Sequence, residues 1–150
     1  MELARPARDE DHPVCRRLLD ELLAGAGVMR GGPTLVGEQT PDTLMARWTG
    51  PGADLFVGEF EGVVVGVLGV TVASASTAGG RGLVEGCYVE PDARGVGVGS
   101  SLLQAAVAWC TEQGCREVDA LALPGDRATK QRLEAEGFTA RLLTLSRRLD

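Results

Sequence analysis

The sequence predicts an α/β (α+β) fold: a mixed, mostly antiparallel sheet with helices on both faces. Three observations carry this. Residues 55–73 alternate as a hairpin around Glu61-Gly62. Two helical patterns precede the hairpin. Downstream, strand and helix patterns alternate, which gives strand–helix–strand units.

Residues 2–7 read as a short strand. Residues 9–27 read as a helix, with Val14, Leu18, Leu19, Leu22 and Leu23 at helical spacing, Asp9 or Asp11 as its cap, and Gly25 or Gly27 at its end. Residues 29–39 form a loop. A second helix starts at Thr40-Pro41-Asp42 and runs to Trp48. After the hairpin and a flexible loop around residues 74–82, "LVEGCYVEP" is a strand. Residues 98–113 form a helix with Leu102, Leu103, Ala106, Val107 and Cys110 as its apolar stripe and Gly114 as its stop. "EVDALALP" is a strand, residues 126–136 are a helix ended by Gly137, and "TARLLTLSRRL" is a last strand. There is no repeat or linker. A chain of 150 residues without either is expected to be one domain, residues 1–150.

Charge and cysteine usage exclude several classes. A net charge of −6 disfavours a nucleic-acid binder, which needs a basic face. The four cysteines, Cys15, Cys87, Cys110 and Cys115, form no C-x-x-C pair and lack a nearby histidine, so no metal site is expected. Free thiols fit a reducing compartment. The charged N-terminus has no signal-peptide core. The run "VVVGVLGVTVA" is too short to span a bilayer. The expectation is a soluble, cytoplasmic protein without membrane contact.

The chemistry concentrates in "CYVEPDARGVGVGSSLL", residues 87–103. A strand passes through glycines at 95, 97 and 99 into a helix. That arrangement offers a nest of backbone N–H groups at a helix N-terminus, suited to a phosphate. Small residues there keep side chains out of the way of close approach. The dinucleotide fingerprint G-x-G-x-x-G fails, because its third glycine falls on Ser100 or Leu102. The P-loop fails because no lysine follows. The pattern [Q/R]-x-x-G-x-[G/A] is matched from Arg94 to Gly99. The competing reading is a bare helix-start turn.

That pattern, with its strand before and helix after, resembles the GNAT superfamily of acyl-CoA-dependent N-acyltransferases. "DRATKQRLEAEGF", closing on Gly137-Phe138, is similar to the family's last helix and turn. The resemblance implies a sheet with a splayed central pair of strands, the pantetheine arm of acetyl-CoA lying in the gap. Cys87, Tyr88 and Val89 would then supply backbone hydrogen bonds. Arg94, Gly95, Val96, Gly97, Val98, Gly99 and Ser100 would surround the pyrophosphate, Arg94 more as a structural or phosphate-edge residue than a catalyst.

Asp126 stands where the family usually has an asparagine facing the cofactor. Arg127, Lys130 and Arg132 form a basic segment that could meet the 3′-phosphate or simply be a solvated face. Leu133 occupies the place of the tyrosine that often protonates the leaving thiolate.

The expected reaction is acetyl transfer from acetyl-CoA to a primary amine, here of a small molecule, by direct attack on the thioester. The alternatives are a non-catalytic acyl-CoA-binding domain, which Leu133 favours, and an acetyltransferase acting on protein N-termini or lysines. Glu85 is the chosen general base. Alternation along the strand puts it on the face of Cys87 and Val89, and burial would raise its pKa. A glutamate at a solvent edge is the competing reading. The Val89 N–H could stabilise the oxyanion. Cys87 without a histidine neighbour reads as a packed thiol, and His12 as a helix-start residue. Asp9, Glu10, Asp11, Glu38 and Asp42 make the acceptor side acidic. A homodimer is common in the family and is expected here.

Overall fold

The computed structural model describes residues 2–74 and 80–149. Five strands form one sheet in chain order: β1 (Glu2–Pro6), β2 (Ala53–Phe60), β3 (Val63–Ser74), β4 (Gly80–Val89) and β5 (Cys115–Ala120). The first four are antiparallel neighbours, and β5 runs parallel to β4. The hairpin turns where expected. Glu61 and Gly62 both take positive φ, +51° and +82°, the twist that two-residue hairpin turns need.

Helix α4 (Val98–Glu112) covers one face of the sheet. Its Leu102, Leu103, Ala106 and Cys110 are buried; Val107, expected in the stripe, is partly exposed. The opposite face is covered by α1 (His12–Gly27) and α3 (Pro41–Trp48), which bury Leu18, Leu19, Leu44 and Trp48 against β2 and β3. Thr40 caps α3, its hydroxyl accepting from the Thr43 N–H at 3.2 Å. The segment read as a loop contains a short helix, α2 (Gly32–Val36). The last helix, α5 (Arg127–Ala135), ends at Glu136-Gly137 as expected.

Close packing explains two sheet glycines. A Cβ at Gly69 would lie 2.0 Å from the Trp48 ring, and one at Gly58 would lie 2.5 Å from Val98 Cγ1. Missing side chains let α3 and α4 lie directly on the sheet from opposite sides.

Two expectations are corrected. Residues 139–149 are not a strand: they have no regular secondary structure, are exposed and make no backbone hydrogen bond among the described residues. Leu142, Leu143, Leu145 and Leu149 are therefore left exposed among the described residues. Asp11 does not cap α1. Its carboxylate accepts from Arg5 at 2.7 and 3.1 Å and from the Arg8 N–H at 2.7 Å, while Arg5 also reaches Glu59 on β2 at 2.8 Å. The loop of residues 74–82 falls largely on residues 75–79, outside the described residues; Gly80–Gly82 belong to β4.

The Arg5 hydrogen bond, against the opposing effect of burial, holds the Asp11 carboxyl below the usual aspartate range. Its folded pKa is thus lower than the unfolded value of about 3.9. The stabilisation is complete above that value and is lost as pH falls through the lower folded one. Asp11→Asn should cost about 3 kcal/mol at pH 7, because it leaves Arg5 and the Arg8 N–H short of a charged acceptor. It should also flatten the acid limb of a stability–pH profile measured by urea unfolding. A wild-type profile in the variant would remove Asp11 from that role.

Candidate functional site

The site begins where β4 leaves β5. The two strands pair from Gly80/Cys115 to Val84/Ala120 and then part. Within β4, Gly86 faces Gly69 on β3 and Val84 faces Val70, so Glu85 is an extra residue, a bulge. A bulge bends its strand and re-aims the side chains around it. Here it breaks the alternation: Val84 and Cys87 both pack toward α4, while Glu85 reaches Arg47 of α3, carboxylate to guanidinium at 2.5 Å. The shared face expected for Glu85, Cys87 and Val89 is therefore corrected. The Glu85 side chain is 16% exposed and has an ionic partner in place of the apolar setting expected for a base.

Between the parted strands lies a slot of about 100 Å³. Glu85, Gly86 and Cys87 form one wall; Leu121, Ala122 and Leu123 form the other. Asp126, Thr129, Arg132 and Leu133 of the α5 segment close it, and Leu22 and Ala26 of α1 reach it from the other side. Leu133 is buried and offers only apolar surface. Asp126 caps α5, accepting from the Thr129 N–H at 3.2 Å and the Thr129 hydroxyl at 2.6 Å.

A second cavity, about 290 Å³, opens at the end of β4. Val89, Arg94, Gly95, Gly97, Gly99 and Ser100 line it, with Arg132 across from them. A 3₁₀ turn at Pro91–Ala93 links β4 to this loop. Gly97 precedes α4 at φ +92°, and the first intrahelical bond runs from the Ser101 N–H to its carbonyl at 3.0 Å. The N–H groups of Val98, Gly99 and Ser100 thus have no acceptor within the helix, and the helix dipole adds partial positive charge there. This cavity, a cradle of free N–H donors, has the donor groups that an anion needs.

The three glycines do not share one reason. Gly95 and Gly97 take positive φ, which a side chain resists; a Cβ at Gly95 would meet nothing within 4 Å. At Gly99 a Cβ would lie 2.7 Å from Arg132 Nε, so this glycine makes room for an arginine.

Other expected residues separate. Arg94 is structural: its Nε donates to the Val89 carbonyl at 2.9 Å and its guanidinium sits 5.4 Å from the centre of the Tyr88 ring. The Tyr88 side chain faces α1, where its hydroxyl lies 3.4 Å from Glu21. Val98 is buried against the sheet, and Val96 is partly exposed; neither side chain lines the cradle. Lys130 lines neither cavity and pairs with Glu134 at 3.6 Å. Arg132, about one turn beyond Thr129 on α5's inner face, lines both cavities. Its helical spacing from Asp126 and Thr129 was the signal available for it in the sequence.

Burial pushes the Cys87 thiol up to about 11 despite Arg132 beside it, the environment of a packed thiol. His12 lies 4.0 Å from Asp9, away from both cavities. On the acceptor side, Asp11 is spent on Arg5, and Asp42 on Arg16 at 2.8 Å. Among the described residues no cluster of His, Cys, Asp or Glu could hold a metal ion, and no helix is long and apolar enough to cross a membrane.

Residues 17–138 match the sequence profile of the Acetyltransferase (GNAT) family, and the chain belongs to that family. The resemblance carried by residues 94–99 and 126–138 is thereby borne out. Over 37 residues the chain is 51% identical to an aminoglycoside N(6′)-acetyltransferase type 1 from Stenotrophomonas maltophilia; this stretch is 25% of this chain and 24% of that protein.

Among solved structures, the BH1408 protein from Bacillus halodurans superposes with a TM-score of 0.79 at 13% identity, over 98% of this chain and 99% of that one. The enzyme AAC(6′)-Iy, bound to the bisubstrate analogue CoA-S-monomethyl-acetylneamine, superposes with a TM-score of 0.72 at 20% identity, over 99% of each chain. These likenesses establish the fold.

Proposed function

We propose that the protein is an N-acetyltransferase that moves an acetyl group from acetyl-CoA to a primary amine of a small molecule. The observation that carries this reading is the pair of neighbouring cavities, cradle and slot, which share Arg132 in their walls. A linear donor with an anionic end and an amide-bearing arm fits that shape. The N–H groups at the start of α4 would hold the pyrophosphate. The arm would lie beside β4, using the backbone of Cys87–Val89 that β5 has abandoned. Asp126 can accept from an arm amide while it caps α5. The family supports the donor. The short aminoglycoside-acetyltransferase match supports a small amine as acceptor.

In this reading the amine nitrogen attacks the thioester carbonyl, a C–N bond forms and the C–S bond breaks. The proton lost by the amine passes to Glu85, directly or through water, and the CoA thiolate is protonated from solvent or by the ammonium proton. Leu133 contributes packing and no proton. Arg47 fixes the Glu85 carboxylate at the slot's edge. The Val89 N–H is the oxyanion donor assigned here.

The chain is further read as one domain, since a single sheet supports both cores. A cytoplasmic setting, without nucleic-acid or membrane partners, is supported by four free cysteines and the acidic balance. A homodimer is assigned to the C-terminal segment. Arg141 grips Asp119 near the end of β5, by an Nε bond of 3.0 Å among others. Leu145 and Leu149 are 90% and 85% exposed, and a second copy offers them cover.

CoA should raise the melting temperature, by up to about 2.7 kcal/mol of stabilisation at 100 times its dissociation constant, while NAD should not. Gly97→Val should abolish the CoA shift without unfolding the protein. Equal protection by NAD, or an undiminished shift in Gly97→Val, would sink the cradle assignment. Glu85→Gln should lower turnover with an amine acceptor by roughly 10²–10⁴-fold and displace the acidic limb of the pH–rate profile. An unaltered profile would retire Glu85 and leave positioning as the mechanism. Sedimentation at tens of micromolar should give a dimer, and the double variant Leu145→Ser/Leu149→Ser a folded monomer. A monomeric wild type would refute the interface.

A further inference from the structure

Arg132 is a cation in an unfavourable place. Its guanidinium packs against the first turn of α4: a Cβ on Gly99, the second helical residue, would lie 2.8 Å from Arg132 Cζ. That end of a helix carries partial positive charge and repels a cation. Many other arginines are neutralised; Arg5, Arg16, Arg17, Arg47, Arg81 and Arg141 each hold a carboxylate. Arg132 makes no ion pair among the described residues. Of the acids on its own side of α5, Asp126 is occupied by Thr129, and Glu136 accepts from Gln104 at 3.4 Å. On the β4 side the guanidinium meets the Cys87 thiol, which gives it no charge.

An unpaired guanidinium and the free N–H groups of α4 therefore converge on one cavity from two helices. Arg94, the other arginine there, is tied to the Val89 carbonyl and the Tyr88 ring. An anion in the cradle removes the repulsion and gives both sets of donors an acceptor. A planar fork of N–H donors suits two phosphate oxygens.

We propose that Arg132 clamps the pyrophosphate of the donor from the α5 side, completing a cradle that the glycine loop and the α4 N-terminus form only on one side. The proposal rests on the acetyl-CoA reading and adds to it a residue and a phosphate. The basic segment of α5 then serves the pyrophosphate through Arg132, rather than the 3′-phosphate through Lys130. It also explains Gly99, which clears the path of the arginine and not of the ligand.

The test compares CoA with dephospho-CoA, which keeps the pyrophosphate and lacks the 3′-phosphate, by calorimetry on wild type, Arg132→Gln and Arg132→Lys. Inorganic pyrophosphate serves as a fragment in a thermal-shift assay. Arg132→Gln should weaken both nucleotides by the same factor, about 10- to 100-fold, and abolish protection by pyrophosphate. Arg132→Lys should recover part of the affinity. Circular dichroism of the free variants controls for folding. A loss confined to CoA would reassign Arg132 to the 3′-phosphate and overturn the proposal. Wild-type affinities in Arg132→Gln would overturn it while leaving the donor reading intact. Failure of the wild type to bind either nucleotide would overturn both.

Discussion

The parting of β4 and β5 is the constraint on which the rest of the site depends. The two parallel strands hold together through Val84 and Ala120 and then separate. The bulge at Glu85 sits at the point of separation. A bulged strand bends and twists more strongly than a regular one. Backbone groups freed by that divergence cannot stay buried and unpaired without cost. The slot is where a ligand's own amides can replace the missing strand. The same bulge turns Glu85 toward α3 and leaves Cys87 facing α4, so one local irregularity lies at both the slot and the carboxylate beside it.

An acidic chain that holds an anion needs its positive charge concentrated in one place. Here that charge is largely not carried by side chains. The start of α4 contributes N–H groups and its dipole, and Gly95 and Gly97 provide the backbone turn that exposes them. Elsewhere Arg5, Arg16, Arg17, Arg47, Arg81 and Arg141 are each paired with a carboxylate, and the chain as a whole carries a net charge of −6. Screening limits the reach of that charge to about 8–10 Å at ordinary ionic strength, so a local cradle can act against it.

Glycine performs a separate task in the sheet. Gly58 accepts Val98 on one face and Gly69 accepts Trp48 on the other. The two helical layers therefore approach the sheet closely near its centre. This fixes the position of α4, and with it the cradle, relative to β4. The placement of the cradle is thus in part a consequence of how Val98, at the start of α4, packs on the sheet.

What the sequence determined is what depends on neighbours in the chain. The hairpin at Glu61-Gly62, the Thr40 cap, the glycine turn into α4 and the end of α5 at Gly137 all rest on short-range backbone preferences, and each lies where the residues place it. The motif from Arg94 to Gly99 was legible for the same reason. Tertiary structure decided what requires a partner from elsewhere. Alternation in a regular strand cannot reveal a bulge, so the face of Glu85 was misassigned until β3 set the register. Spacing grouped Lys130 with the basic segment, but only the packing of α5 on β4 and α4 separates Lys130 in solvent from Arg132 in the cradle. Residues 139–149 have the composition of a strand, yet a strand exists only when an edge pairs with it, and among the described residues β5 is unpaired along that side.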